Sequence, residues 1–521
     1  MRRRRMRLQV FGLLIVSSAL ASCTVVGPDY VKPAVPEYSQ WNTPLADDLV
    51  AEQQELAEWW KIFADDDLSA LVNLALSNNN STEIAALRVL ESRAQLGIAI
   101  GSRYPQTQFA SGDGTYVSPA DNQGGGNQFW QYNLGAFIAW EPDFWGRFRR
   151  GIEASDAAFL ASMAAWDQAT VLLVAQVVDT YTLIRSFEDQ LQIARDNVVI
   201  QQRSYDIAAV LFRNGEDSEL DMQQANTLLL STQASIPAFN AALRQARNAM
   251  STLLGRPPGE IPEITSRHGG IPAIPAQLAI GLPADMLRLR PDVRLAELQA
   301  MSQNALVGFA EADLYPSFSL LGSISLVSGG PGNSDFGDLF TSDAVTWAAG
   351  PSFTWPFLNY DRIKNNIRVQ DARLQQALIN YAESVIQAAR EAEDALAAYY
   401  GARIQTVILE QTVASALRSN ELSTIRYREG LSDYQRVLDS QQSLFGQQQR
   451  LIDSRSNSVR SLISLYKALG AGWQGRGGFP KVDTDNIEQM RQRTDWGDLL
   501  EAAGEVPDDA GIRQAGMKPP R

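Results

Sequence analysis

The sequence predicts a mainly α-helical chain with a β-barrel portion, built as two repeats of long coiled helices plus four transmembrane strands. Three observations carry that expectation. Between Gly151 and Gly215 there is neither glycine nor proline. In that stretch apolar residues recur at Val174, Val177, Tyr181, Ile184, Phe187, Leu191, Ala194 and Val198. These steps of three or four lie near the 3.5-residue period of supercoiled helices, not the two-residue period of a strand. Finally, adding 215 to the numbering carries Trp140 to Trp355, Arg147 to Arg362, Gly215 to Gly430 and Gly255 to Gly470 without a gap. A repeat of this length sets the organisation of the chain.

Each copy reads as a long helix, a sharp turn and a return helix. The first pair is expected at 147–213 and 217–254, the second at 361–428 and 432–469. At ~1.5 Å per residue the first long helix measures about 100 Å, which suits an elongated assembly rather than one globule. Phe212-Arg213-Asn214-Gly215 becomes Tyr427-Arg428-Glu429-Gly430 in the second copy. Gly215 and Gly430 each supply the positive φ that ends a helix. Pro237 sits inside the first return helix, opposite Ile452 in the second, and its missing N–H predicts a kink.

Upstream of the strands the offset is 211. Ile84, Ala85, Leu87 and Tyr104-Pro105 match Leu295, Ala296, Leu298 and Tyr315-Pro316. A helix is expected over Ser81–Arg103, ending before the Tyr-Pro pair. Two hairpins follow, at 106–140 and 317–355. Phe318, Leu320, Ile324 and Leu326 alternate with Ser317, Ser319, Ser323 and Ser325. Val345, Trp347, Ala349, Pro351, Phe353 and Trp355 alternate with Thr346, Gly350, Ser352 and Thr354, and Trp130, Tyr132, Leu134, Ile138 and Trp140 form a third such row. The segment Thr107–Val117 alternates more weakly. Each segment is near the 9–11 residues that a tilted strand needs to cross a bilayer, and terminal tryptophans suit an interfacial girdle. The loops at Ser118–Gln128 and Gly329–Asp343 are polar and rich in Gly, Asn and Asp. Four strands cannot close a barrel, and lipid does not tolerate open edges. Several chains must therefore contribute. Two chains give eight strands and little lumen, while three give twelve and room for a pore.

The amino terminus places Arg2, Arg3, Arg4, Arg5 and Arg7 before an apolar run from Leu8 to Leu20. Residues 1–22 read as a secretory signal. Leu20-Ala21-Ser22-Cys23 resembles the bacterial lipobox, so Cys23, the only cysteine, is expected to be lipidated. Removing the signal takes the formal charge from −14 to −19, which disfavours nucleic acid as a partner. Residues 23–58 read as a Pro-rich tether, 59–255 as the first structural repeat, 256–283 as a Pro-rich connector, 284–470 as the second repeat and 471–521 as a C-terminal tail.

Nothing in the sequence points to an enzyme, a cofactor or a metal. His268 is the only histidine, and one histidine with one lipid-consumed cysteine cannot form a His/Cys metal site. Asp65-Asp66-Asp67 reads as a helix N-terminal cap and dipole partner. Gly124-Gly125-Gly126 lacks a phosphate-loop context and reads as a flexible loop.

Several separate motifs resemble one family: Cys23 with its Pro-rich tether, Trp59-Trp60-Lys61 with Phe63, Leu68 and Leu71, Leu289-Arg290-Pro291-Asp292-Val293, and the paired turns at Gly215 and Gly430. Together they are similar to the TolC-type outer-membrane factors, in particular the lipoprotein (NodT-like) branch serving resistance-nodulation-division (RND) efflux systems. The resemblance implies a homotrimer. In it a 12-stranded β-barrel in outer-membrane lipid continues into a periplasmic α-helical barrel. It also implies a periplasmic adaptor (membrane fusion) protein docking at the helical tips, Gly215 and Gly430, and an inner-membrane RND pump, with small toxic compounds leaving through the lumen. By the same resemblance the turns close the resting channel. Asp439 matches an acidic residue lining that entrance, Arg436 stands where other members can carry a second aspartate, and Tyr427 matches a tip tyrosine. Asp433 completes this set. The repeat pairs Asp221 with Arg436, which makes an ion pair between adjacent hairpins a candidate latch. Two other readings stay open: the exit duct of a type I protein secretion system, and a non-conducting structural lipoprotein.

Overall fold

A computed structural model describes residues 25–34, 41–42, 49–50, 56–118, 128–265, 270–275, 278–279, 289–329, 335–474, 480 and 482–500. The signal segment, Cys23, Gly124–Gly126 and His268 lie outside them. In chain order the helices are α1 (Asp66–Asn78), α2 (Asn80–Gly101), α3 (Arg147–Arg213), α4 (Glu219–Leu253), α5 (Pro291–Glu311), α6 (Tyr360–Arg428), α7 (Tyr434–Ala468) and α8 (Thr484–Arg493). The long strands are β1 (Thr107–Val117), β2 (Phe129–Trp140), β3 (Ser317–Ser328) and β4 (Val345–Thr354). Contacts divide the chain into two compact units: residues 1–34, 90–161 and 296–381, and residues 35–89, 162–295 and 382–521. The division does not follow the repeat, because each unit draws on both copies.

The first unit holds one antiparallel sheet in the order β1-β2-β3-β4. Its register places Trp140 opposite Leu320, Leu134 opposite Leu326, Ile324 opposite Trp347 and Phe318 opposite Phe353. These pairs share one face, as the period-two alternation requires. At the foot of the sheet Trp145 stacks on Tyr315 at 4.7 Å, and its Nε1 donates to the Pro316 carbonyl at 2.8 Å. The Tyr-Pro pair of the second copy is thus a packing site as well as a helix stop. Asp143 accepts from the backbone N–H groups of Phe148 and Arg149 and so starts α3. Arg150, nearly fully buried, donates to the carbonyls of Val26 and Gly27 and to Asp29 and Glu153. The first part of the expected tether therefore has no helix or strand but is pinned in place. The loop after β3, expected to be simply polar, forms short 3-10 turns at Phe336–Phe340 and Ser342–Ala344. Leu339 is buried there and Phe336 meets Tyr132 edge-on at 5.2 Å.

The second unit is helical around a large apolar core. The seam residues Val174, Val177, Tyr181 and Ile184 of α3 and Leu396 and Tyr399 of α6 lie in it, with Met250, Leu462 and Tyr466 from the return helices. Trp59, in a 3-10 turn over Trp59–Phe63, stacks on Tyr466 at 4.9 Å. That stack anchors the Trp-Trp-Lys motif. α4 runs as a single helix with Pro237 inside it. Two features went unforeseen. Leu49–Val50 pairs in parallel with Leu278–Ala279. In the tail, α8 is tied down where the Asp483 N–H and Asn486 Nδ2 both donate to Glu83 Oε1.

The Asp65–Asp67 run does more than cap. Asp65 Oδ1 accepts from the Leu68 N–H, as a cap should, but its other oxygen accepts from Tyr181 Oη at 2.7 Å. Asp67 accepts from Arg185, which is about 1% exposed and also donates to Glu188 and Tyr181. A charge this buried survives because several acceptors surround it. The Leu-Arg-Pro-Asp-Val motif has a similar logic. Arg290 donates to the Ala468 carbonyl at 2.6 Å, closing the end of α7, and to Asp292 and Glu391. Pro291 starts α5, where its missing N–H costs nothing.

Candidate functional site at the return turns and on the sheet

The two turns have one backbone and two chemistries. Gly215 and Gly430 both have φ +73° and nothing near the place of an added Cβ. Their amides donate to Phe212 and Tyr427, and the next amides, of Glu216 and Leu431, reach back to Leu211 and Arg426. That is a five-to-two bond followed by a six-to-one helix closure. In the first turn Ser218 caps α4 by accepting from the Asp221 N–H at 3.2 Å. In the second turn Asp433, at the same position, makes no capping bond.

Beneath the turns Ala208, Ala225, Leu228, Tyr434, Val437 and Leu438 form a small core, with Tyr427 packed against it. Tyr427 meets Tyr434 edge-on at 5.3 Å, and its Oη donates to the Asp217 carboxylate. This bond ties the end of α6 to the first turn. Partial burial, then the bond to Asp217, pushes the Tyr427 hydroxyl well above the usual phenol range. Asp217 is partly buried, which raises it, but hydrogen bonds with Asp221, Tyr427 and the Ser218 N–H outweigh that and hold it below the usual carboxylate range. Asp221 moves up instead, by burial first and then by its bond with Asp217. The two neighbouring carboxyls thus move in opposite directions.

The expected entrance residues divide into two groups. Tyr427 and Asp221 meet around Asp217, which the sequence reading missed: its counterpart is Ser432, so the repeat offered no parallel. Asp433, Arg436 and Asp439 sit on the exposed side of α7's start. Within the chain Arg436 lies 3.8 Å from Asp433, both largely exposed, and not against Asp221. Asp439 accepts from Gln435 at 2.8 Å.

The sheet presents a different kind of surface. Leu134, Ile138, Phe318, Leu320, Ile324, Trp347 and Phe353 are all exposed on one face. The other face carries small polar groups: Ser325 Oγ meets Thr346 Oγ1 at 2.7 Å, and Asn133 Nδ2 donates to Asp113 at 3.3 Å. A water-soluble sheet would hide the apolar face and wet the other; here both are open. Among the described residues β1 and β4 each bond on one side only, leaving two bare edges. α3 is also long and apolar enough to cross a membrane, but its seam residues are buried against other helices.

Comparison with known proteins agrees with this geometry. Residues 71–256 and 282–471 match the family model described as "Outer membrane efflux protein". The chain is 32% identical over 462 residues to the cation efflux system protein CusC of Escherichia coli O6:H1, covering 88% of this chain and 98% of the relative. It is 32% identical over 479 residues to the solvent efflux pump outer membrane protein SrpC of Pseudomonas putida, covering 89% and 98%. Among solved structures, the outer-membrane channel OprN superposes with a TM-score of 0.81 at 30% identity, covering 86% of this chain and 99% of that one.

Proposed function

The chain belongs to the outer membrane efflux protein family, and from that premise we propose that it is the outer-membrane channel of a tripartite efflux system, passively conducting small toxic compounds outward. The observation that carries the reading is the four-stranded sheet with an apolar face, a polar face and two unpaired edges. Lipid covers the first face, water fills the space behind the second, and further copies of the chain close the edges. Three copies supply twelve strands, enough for a lumen, so the assembly is a homotrimer. The relatives' names speak of cations and of solvents; for this chain, drugs, solvents or similar small molecules are the proposed cargo, with selection at the pump. A periplasmic adaptor docks at the turns around Gly215 and Gly430, and an inner-membrane RND pump supplies the energy. A lipid on Cys23 adds a second hold on the outer membrane.

The test is single-channel recording of the purified full chain in planar bilayers. Stepwise conductance is expected. A folded monomer that opens no steps would refute the conduit. Arginine substitutions separate the faces. Ile324→Arg, on the lipid side, is expected to cost about 2–4 kcal/mol near the membrane midplane and to block insertion. Ser323→Arg, one residue along and facing water, should insert and lower cation conductance.

The entrance residues carry a second part of the proposal. Tyr427, bonded to Asp217, holds the turns together, while Asp433, Arg436 and Asp439 face the opening. Arg436 of one copy, paired with Asp221 of the next, acts as a latch. Arg436→Ala is expected to raise the closed-state current with a stability change below about 1 kcal/mol, the usual worth of an exposed pair. An unchanged current removes the latch.

A further inference from the structure

The polar face of the sheet carries one pair of phenyl rings. Phe109 of β1 lies directly opposite Phe137 of β2, with ring centroids 5.3 Å apart and a tilt of 32°. Both belong to the face of Asp113, Asn133 and Gly135, not to the face of Leu134 and Ile138. The second copy has no such pair. Adding 215 carries Phe137 to Ser352, and the cross-strand partner of Ser352 is Ser319. One hairpin therefore holds two phenyl rings where the other holds two hydroxyls. On β3 the neighbour of Phe137 is Ser323, flanked on the same face by Leu321 and Ser325.

Phe109 remains 52% exposed. The contact with Phe137 covers only part of it within the chain. Four residues further along the same face, about 13 Å at ~3.3 Å per residue, Asp113 holds out a carboxylate steadied by Asn133. The faces of aromatic rings attract cations, more strongly where water is thinned. The whole chain is acidic, with a formal charge of −14.

We propose that Phe109 and Phe137 form a luminal docking site for aromatic organic cations, which rest on the phenyl rings and are drawn onward toward Asp113. The inference deepens the conduit reading and rests on it, since it takes the polar face as the lumen wall. In a ring of three chains the site recurs three times at one height, so a cation in transit always finds one nearby.

The experiment uses the full chain in planar bilayers with tetraphenylphosphonium added on the side of the helical turns. Wild-type channels are expected to show discrete blocks, with a mean blocked time about fivefold longer than in F109S/F137S, which copies Ser319 and Ser352 of the other hairpin. Tetraethylammonium, a cation without rings, is expected to give equal blocked times in both proteins. If the double variant does not insert, Phe109→Ser alone carries the test, with about a twofold shortening expected. Equal tetraphenylphosphonium blocks with and without the phenyls, or parallel shortening for tetraethylammonium, would overturn the docking site while leaving the conduit intact. A wild type that conducts nothing would overturn the conduit itself.

Discussion

Asn79 and Arg290 stand at the same place in the two copies, 211 residues apart, and each closes the end of a return helix. Asn79 Nδ2 donates to the Leu253 carbonyl at 2.9 Å, and Arg290 donates to the Ala468 carbonyl at 2.6 Å. The need is common to both: the last carbonyls of a helix have no partner inside it. The solutions differ. Asn79 is neutral and also accepts from the N–H groups of Ser81 and Thr82, so one amide ends α4 and starts α2. Arg290 brings a charge into a buried place and must be matched by Asp292 and Glu391. The repeat fixes where the backbone must be satisfied and leaves the chemistry free.

Three measurements sharpen that contrast. Arg290→Ala should be the costlier change, about 2–3 kcal/mol, because hydrogen bonds to charged groups are lost and two carboxylates are left facing each other. Denaturant unfolding in detergent reads it, and a loss under 1 kcal/mol would mean that the charge is incidental. Asn79→Ala should cost about 1–2 kcal/mol, the usual worth of an N-cap plus one bond. A loss equal to that of Arg290→Ala would erase the distinction drawn here. The smallest effect is on the acid side. Burial pushes the Asp292 carboxyl up, but the hydrogen bonds and charge of Arg290 outweigh it and hold the group below the ordinary carboxylate range. Its contribution is therefore present above the unfolded value of about 3.9 and is lost as pH falls through the lower folded one. Arg290→Gln should flatten stability in that acid window, whereas Asn79→Ala should leave the slope as it was.

Much of the fold was legible because long elements repeat their signals. Nothing interrupts the run from Arg147 to Arg213, and Gly215 ends it, so the helix and its stop were readable. The lipid-facing rows on β2, β3 and β4 were readable from strict alternation. β1 was harder, because Gly112 and Gly114 occupy its outward positions while Phe109 points the other way. The small helix α8 carries few apolar residues and is held by Glu83, far away in sequence, which no local pattern announces. The turns show the same limit. Their glycines were visible, but the Asp217–Tyr427 bond joins residues 210 positions apart. Arg185 and its ring of acceptors were hidden for the same reason, since only the packed chain brings Asp67 to it.

The two hairpins pair where β2 lies beside β3, and those strands are separated by the whole first long helix, its return and the connector. During synthesis the first hairpin is finished long before its neighbour exists. Until then it offers an unsatisfied edge and a greasy side to whatever is near, the condition under which sheets stick to strangers. A chain built this way carries that exposure until the second hairpin arrives, and pairing across so long a stretch of sequence is a slow, late step.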